Sequence, residues 1–131
     1  MINFSKYLDR KHQYGVFDCI TLVQQFYSVE LNIDLDLPEY PHNRAWLKKF
    51  TTASIDEWAS KYAKKVSLTD AKNYDLIVFK SEKSDLIIHF AIYIAPNRML
   101  HVEEGNTARI DYLTAYWLDK IYSVYHYDRM V

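Results

Sequence analysis

The chain has 131 residues and a mass of 15.6 kDa, which is room for one domain and excludes two independently packed ones. Half of the residues are hydrophobic and a quarter are charged, a composition that excludes a disordered or low-complexity chain. Sixteen basic residues against seventeen acidic ones give a net charge of −1. Without a basic excess, neither nucleic acid nor an anionic membrane is an expected partner.

The beginning of the chain, MINFSKYLDRKHQYG, carries charges from Lys6 onward and contains no long apolar run. We therefore expect no signal peptide. The longest relevant apolar run, residues 86–95, is about half as long as a membrane helix requires. The sequence thus predicts a single domain over residues 1–131 that does not enter a membrane.

The first predicted element is a helix that begins at Cys19. The apolar residues that follow recur at the spacing of one helical face: Cys19, Leu22, Val23, Phe26 and Tyr27. Asp18 directly precedes this face and is a natural N-cap, because a short acidic side chain accepts hydrogen bonds from the first free amides. We expect the helix to end within residues 31–34.

Two more helices are predicted before the first strand. Residues 45–50 (AWLKKF) have the pattern of a short helix. Ser54 and Glu57 form the S-x-x-E pattern of a capping box, and apolar residues follow at helical spacing. This pattern predicts a helix from residue 55 to about residue 64.

The second half of the chain is rich in extended runs. Strands are predicted over residues 75–80, 86–95, 98–103, 107–112 and 121–127, with a helical turn around residues 113–118. The Pro96-Asn97 dipeptide indicates a β-hairpin between the second and third of these strands. Helices followed by strands favour an α+β fold with N-terminal helices packed on a central antiparallel sheet.

Cys19 is the only cysteine, which excludes an internal disulfide and a cysteine-based zinc site. Its predicted place at a helix N-terminus favours a thiolate, because free amides and the helix dipole lower the pKa of a thiol there. A lone cysteine on an apolar helical face is often simply a small buried hydrophobic residue. The sequence leaves both interpretations open.

Of the five histidines, only His89 and His101 interrupt strongly apolar strands. With Cys19 they would supply a nucleophile, its base and a group that orients the base. Each histidine could instead be a core residue hydrogen-bonded to the backbone. A metal site of His89, His101, Glu103 and Glu104 is a third alternative, without helical H-x-x-x-H spacing to support it.

Four motifs carry a family resemblance: YGVFDC at 14–19, DLIVF at 75–79, HFAIYIA at 89–95 and MLHV at 99–102. Together they resemble the NlpC-type cysteine peptidase superfamily, which has a compact papain-like fold. The resemblance runs from about residue 12 to residue 104. The phrase DCITLVQQFYSVELNIDLDLP also resembles the phage tail-associated branch of that superfamily.

The resemblance implies that Cys19 is the nucleophile, that His89 is the general base and later the acid, and that His101 orients His89. Tyr14 matches a tyrosine that lies by the cysteine and helps to stabilise the oxyanion, and Asp18 supports the nucleophile as its neighbour. The resemblance further implies that the protein hydrolyses peptidoglycan stem peptides through an acyl-enzyme, at the bond between γ-D-glutamate and a diamino acid. No metal or other cofactor is implied.

Four residues depart from the family pattern at or next to positions that are usually glycine: Ile20, Thr21, Tyr74 and Ala91. The added side-chain volume would narrow the substrate groove if these positions line it.

The sequence also does not decide how the two strands of the hairpin around Pro96-Asn97 pair with each other. A two-residue loop at Pro96-Asn97 would put His89 and His101 on opposite faces of the sheet, whereas a three-residue loop or a bulge would put them on one face.

Two functional hypotheses follow. The first is a cell-wall peptidase carried by a phage tail, made in the host cytoplasm and assembled into a virion, which agrees with the expected lack of a signal peptide. The second is a structural tail protein that keeps the fold with little or no catalysis. The twelve tyrosines suit an aromatic binding surface, but they suit a tyrosine-rich rim of the core equally well.

Overall fold

The computed structural model describes residues 2–128. Within this range six strands form one antiparallel sheet in the order β1-β6-β2-β3-β4-β5. The strands are β1 Ala63–Val66, β2 Leu76–Lys80, β3 Ile87–Ile94, β4 Arg98–His101, β5 Arg109–Tyr112 and β6 Ile121–Tyr127. The α-helices are α1 Cys19–Leu31, α2 Thr52–Ala59 and α3 Ala115–Leu118, and short 3-10 turns cover Phe4–Lys6, Arg44–Lys48 and Leu68–Asp70. No helix in this range combines the length and apolar character that crossing a bilayer requires.

Helix α1 begins at Cys19 because Asp18 caps it, as predicted. The Asp18 carboxylate accepts hydrogen bonds from the backbone amides of Ile20 at 3.0 Å and Thr21 at 2.8 Å. In return the Asp18 amide donates to the Thr21 hydroxyl at 2.7 Å, which completes a reciprocal capping box. The helix ends where Asn32 turns into the left-handed region, at φ 55°.

Asp18 also fixes the segments on either side of this helix end. Its second carboxylate oxygen accepts the Gly15 amide at 2.8 Å and the Tyr40 hydroxyl at 2.8 Å. Gly15 lies at φ +75°, and a Cβ there would approach the His42 ring to 2.4 Å, so the backbone at this position requires glycine. One carboxylate that is 2% exposed therefore anchors the loop before the helix, the helix itself and the segment after it.

We expect Asp18→Ala to lower the free energy of unfolding by about 3 kcal/mol, because the cap is lost and buried donors are left without an acceptor. Guanidinium denaturation followed by circular dichroism measures this change. The exposed carboxylate of Asp85 provides the control, since Asp85→Ala should shift the stability by less than about 0.5 kcal/mol. Equal stability of the two variants would contradict the anchoring role.

The prediction for the second helix is wrong at both ends. The N-cap of α2 is Thr51, whose hydroxyl accepts the Ser54 amide at 3.2 Å, while Ser54 accepts the Thr51 amide at 2.9 Å. Ser54 is thus the third residue of the helix and not its cap. The helix ends at Ala59, and residues 63–66 form strand β1 against β6 instead of continuing the helix. The short helix predicted over residues 45–50 is a 3-10 turn at Arg44–Lys48.

The register of the hairpin places both histidines on one face of the sheet. Ile94 pairs with Arg98, so the loop has three residues, 95–97, and not the two of the Pro96-Asn97 alternative. His89 pairs with Phe79 in β2, and the register beyond it shifts so that Lys80 pairs with Ile87. This shift in register lies beside His89, and β-bulges are common next to functional sites.

The sheet has an apolar cluster on each face. The larger cluster joins α1 to β2 and β3 through residues such as Phe26, Val78 and Phe90. The smaller one lies on the other face and includes Phe79 and Met99, with Trp117 of α3 packed against it. Since Phe79 is paired with His89, the two histidines belong to the smaller cluster's face.

Candidate active site

A pocket of about 160 Å³ opens where the N-terminus of α1 meets the start of β3. Cys19 from α1 and His89 from β3 both line it. The remaining lining residues come from the N-terminal loop, the 3-10 turn before α2, the loop after β4 and helix α3: His12, Tyr14, Trp46, Leu47, Ile88, Val102, Glu103, Glu104, Tyr116 and Trp117. The fold thus brings the predicted nucleophile and the predicted base to one cavity.

The Cys19 side chain is 4% exposed, and its environment keeps the thiol protonated. Burial raises the pKa of the Cys19 thiol well above its ordinary range, and the neighbouring negative charge of Asp18 adds to the rise. Backbone amides of Phe90 and Ile20 favour the thiolate but do not outweigh these effects. Of the two interpretations that the sequence left open, the lowered thiol pKa is therefore wrong, because desolvation and the capping carboxylate act on the same atom, and the buried cysteine is the one that the structure shows.

We expect the rate at which Cys19 reacts with iodoacetamide to be low at neutral pH and to rise only above pH about 8.5, the ordinary thiol pKa. The reason is that only the thiolate reacts, and burial with Asp18 disfavours it. Mass spectrometry of samples quenched across a pH series measures the rate. The unfolded protein, with an unperturbed thiol, is the reference. A fast reaction near pH about 6 would instead indicate a thiolate stabilised by an imidazolium.

His89 is 5% exposed and forms a hydrogen bond with His101, with 2.9 Å between its Nε2 and the Nδ1 of His101. Burial lowers the pKa of His89 well below its usual value, and the proximity of His101 and His12 lowers it further. His89 is therefore neutral at neutral pH, the state in which an imidazole can accept a proton. Its Nδ1 is the nitrogen that His101 leaves free.

His101 is 1% exposed and has a second partner that the sequence did not reveal. Its Nε2 lies 2.7 Å from Oδ2 of Asp111 in β5, and that oxygen also accepts a hydrogen bond from Arg109 Nε at 2.6 Å. Burial lowers the pKa of His101, whereas the Asp111 carboxylate raises it in part. The interpretation of the histidines as core residues bonded to the backbone is wrong, because each has a side-chain partner.

Trp117 covers both imidazoles and was also not predicted. Its ring is stacked on His89 at 28° with 5.0 Å between centroids, and it meets His101 edge-on at 5.4 Å. Phe79 packs against Trp117 and His89 from the β2 side. The two rings are thus held in place by apolar contacts as well as by hydrogen bonds.

Tyr14 lines the same pocket as Cys19, where the resemblance places it. Burial raises the pKa of its hydroxyl, and a hydrogen bond to the Glu104 carboxylate raises it further. Glu104 in turn accepts Arg44 Nε at 2.8 Å. To stabilise an oxyanion, Tyr14 must exchange Glu104 for the substrate, so this role stays a prediction.

The four departures from the family glycine pattern lie outside this pocket. Ile20 packs in the larger apolar cluster, Thr21 completes the cap of α1, and Ala91 belongs to the smaller cluster. Tyr74 adopts φ 77°, the left-handed conformation that glycine favours. Since none of them is among the pocket-lining residues within 2–128, their bulk does not narrow this cavity.

The metal alternative finds no support in the part of the chain that the structure describes. No three side chains among its His, Cys, Asp and Glu residues are arranged to hold an ion. Glu103 instead forms an ion pair with Arg109 at 3.3 Å, and Glu104 pairs with Arg44. The two histidines bond each other and Asp111.

Comparison with known proteins connects this chain to one family. The sequence profile of the NlpC/P60 family matches residues 9–126. No curated protein sequence matches the chain significantly. The structural likenesses below are all under 25% identical and therefore concern the fold.

A lipoprotein-like NLP/P60 family protein from Staphylococcus aureus is 22% identical, with a TM-score of 0.64, over 95% of this chain and 39% of its own. The NlpC/p60 domain of the peptidoglycan hydrolase SagA is 18% identical, with a TM-score of 0.61. The match covers 91% of this chain and 89% of the SagA domain. RipD of Mycobacterium tuberculosis is described as a non-catalytic NlpC/p60 domain protein adapted to peptidoglycan binding. It is 17% identical, with a TM-score of 0.51, and the match covers 83% of this chain and 64% of RipD. This chain thus spans about two fifths of the staphylococcal protein.

Proposed function

Because the chain belongs to the NlpC/P60 family, we propose that it is a cysteine peptidase that hydrolyses the stem peptides of peptidoglycan. The observation that carries this proposal is the shared pocket of Cys19 and His89, with His101 Nδ1 hydrogen-bonded to His89 Nε2 at 2.9 Å. This arrangement supplies a nucleophile, a neutral base and an orienting group in a partly desolvated cavity. The peptidoglycan substrate is supported by the likeness to the SagA domain.

The proposed reaction begins from a neutral thiol and a neutral imidazole. The substrate carbonyl enters the pocket, and His89 Nδ1 takes the Cys19 proton as sulfur attacks the carbonyl carbon. The backbone amide of Cys19, and Tyr14 once it leaves Glu104, stabilise the oxyanion. His89 then returns the proton to the leaving amine, which gives a thioester. Water, deprotonated by His89, hydrolyses the thioester and restores the thiol.

We further propose that the cleaved bond joins γ-D-glutamate to a diamino acid, as the family resemblance implies. Purified protein incubated with soluble peptidoglycan fragments should release a peptide that ends in D-glutamate and one that begins with the free α-amine of the diamino acid. Liquid chromatography with mass spectrometry identifies both termini. New termini at any other bond would refute this specificity, and their complete absence would refute hydrolysis.

The second candidate function is peptidoglycan binding without catalysis, which the structural likeness to RipD favours. Co-sedimentation with insoluble cell walls distinguishes the two functions when it is combined with the terminus analysis. Sedimentation without new termini would support the binding function and an inactive relative of the peptidases. Sedimentation together with new termini would support the enzyme.

The placement in a phage tail rests on the resemblance of residues 18–38 to the phage-associated branch, and we retain it as a proposal. If it is correct, the protein should co-purify with intact particles and contact other tail proteins. Mass spectrometry of particles purified on a density gradient tests this. Recovery from the medium of uninfected cells, without any particle, would contradict it.

A further inference from the structure

A line of hydrogen bonds continues from the pocket to the edge of the sheet. His89 Nε2 lies 2.9 Å from His101 Nδ1, and His101 Nε2 lies 2.7 Å from Asp111 Oδ2. A neutral imidazole carries one N–H donor and one bare nitrogen that accepts. In each hydrogen bond of this line one atom donates and the other accepts, so the direction of one bond fixes the direction of the next.

The carboxylate at the end of the line sets that direction. Burial by itself would raise the pKa of Asp111, but hydrogen bonds from His101 and Arg109 hold it below the usual range. An ionised carboxylate has no proton to donate. Moreover, Arg109 Nε donates to the same oxygen at 2.6 Å, and that arrangement also requires an acceptor there. His101 must therefore carry its proton on Nε2.

The remaining assignments follow step by step. With its proton on Nε2, the neutral His101 presents a bare Nδ1 to His89. The 2.9 Å bond between the rings then requires His89 to donate from Nε2. The neutral His89 is left with a bare Nδ1, the nitrogen that can take the Cys19 proton. If Asp111 donated instead of accepting, every assignment would reverse and Nδ1 of His89 would already carry a proton.

We propose that Asp111 is a positioning residue that fixes the tautomers of both His101 and His89, so that His89 keeps Nδ1 free for the thiol of Cys19. This inference rests on the proposed peptidase function. Asp111 does not touch the reacting atoms and acts through two rings. It sits on the edge strand β5, where Met99 of β4 is its paired neighbour.

The packing of the rings separates this role from simple support. Trp117 stacks on His89 at 5.0 Å and meets His101 edge-on at 5.4 Å, and Phe79 lies 5.5 Å from His89 between centroids. These contacts hold the rings in position without Asp111. Removal of Asp111 is therefore expected to change the tautomers of the two imidazole rings and to leave the positions of the rings largely unchanged.

The test is nitrogen NMR of the whole protein labelled with 15N-histidine, recorded near pH about 8, where both rings are neutral. In the wild type we expect a bare Nδ1 and a protonated Nε2 for His89 and for His101. In Asp111→Ala, Arg109 is free to donate to His101 Nε2, so the signals of both rings should move toward the opposite tautomer or toward an average. Substitution of each histidine in turn assigns the signals.

Two further variants keep the test decisive. In Asp111→Asn the side-chain oxygen can still accept from His101 and Arg109, so the wild-type tautomers should persist even if the alanine variant folds poorly. Asp119→Asn removes an exposed carboxylate just after α3 and should leave the spectrum unchanged. With active protein, Asp111→Ala should lower kcat by about 10-fold to 100-fold, an effect typical of residues that orient a histidine.

A wild-type His89 with its proton on Nδ1, or tautomers that stay the same in Asp111→Ala, would overturn this inference. The NMR readout does not require turnover, so the two proposals fail separately. If the tautomers respond as expected but no peptide bond is cleaved, the peptidase function fails and the role of Asp111 stands. If cleavage depends on Cys19 but the tautomers are the same in the wild type and in Asp111→Ala, only the role of Asp111 fails.

Discussion

Cys19→Ser is expected to reduce peptide hydrolysis by about four orders of magnitude, to near the background rate. A serine hydroxyl fills nearly the same volume, but it is a far weaker acid than a thiol. A neutral histidine alone therefore cannot activate it in a site arranged for sulfur. The fold should persist, because the cap at Asp18 and the other apolar residues on the buried face of α1 are unchanged. The release of free amino groups from peptidoglycan fragments measures the loss.

The matched control for this substitution is Val29→Ser, which introduces the same residue in the same helix at a position that is 63% exposed. It should retain wild-type activity. Both variants should melt within a few degrees of the wild type, which separates loss of the nucleophile from loss of structure. Hydrolysis by Cys19→Ser at the wild-type rate would show that Cys19 is not the nucleophile.

His89→Gln is expected to lower kcat by about three orders of magnitude with a small change in KM. Glutamine can still donate a hydrogen bond to His101 Nδ1, but it cannot take up the Cys19 proton or return it to the leaving amine. Because burial holds the pKa of His89 below its ordinary value, the wild type should stay active below pH about 6.5 and lose activity only as pH falls through that lowered pKa. Steady-state kinetics across a pH series measures both effects.

His42→Gln provides the comparison for this variant. His42 is exposed and lies outside the pocket that holds Cys19, so its replacement should leave kcat and the pH profile unchanged. An equal loss in both variants would mean that the decrease reflects general damage. Full activity in His89→Gln would mean that another group performs the proton transfer.

The first helix and the hairpin strands could be predicted because their signals are local. Asp18 followed by an apolar face specifies both the start and the buried side of α1. The runs that became β2, β3 and β4 are apolar on both faces, as expected for central strands that pack against clusters on each side. The NlpC-type α+β fold predicted from these motifs is confirmed by the family match.

Strand β1 could not be predicted because its signal is not local. Residues 63–66 (AKKV) have a weak strand pattern, and what makes them a strand is their pairing with β6, about sixty residues later. The capping pair of α2 was misplaced for a different reason. Thr51 and Ser54 have the same spacing as Ser54 and Glu57, and only the fold decides which pair surrounds the helix start.

The candidate site likewise contains residues that the local sequence indicates and residues whose placement depends on the fold. Cys19 was singled out as the only cysteine, at a predicted helix start, and His89 and His101 were singled out because they interrupt apolar strands. Asp111 was missed because its place beside His101 depends on the register between β4 and β5, which the sequence does not reveal. The sequence left the protonation state of the Cys19 thiol undecided, because that state depends on burial and on the charge of the capping carboxylate as well as on the helix N-terminus.

A stem-peptide analogue in which a chloromethyl ketone replaces the scissile amide shows whether Cys19 is the group that attacks a γ-D-glutamyl bond. We expect one adduct on the intact protein, mapped by mass spectrometry to Cys19, and much slower labelling of His89→Gln. The analogue with an α-linked L-glutamate should label neither protein. An unlabelled Cys19 in wild-type protein that binds the γ-D-glutamyl analogue would contradict this role of Cys19.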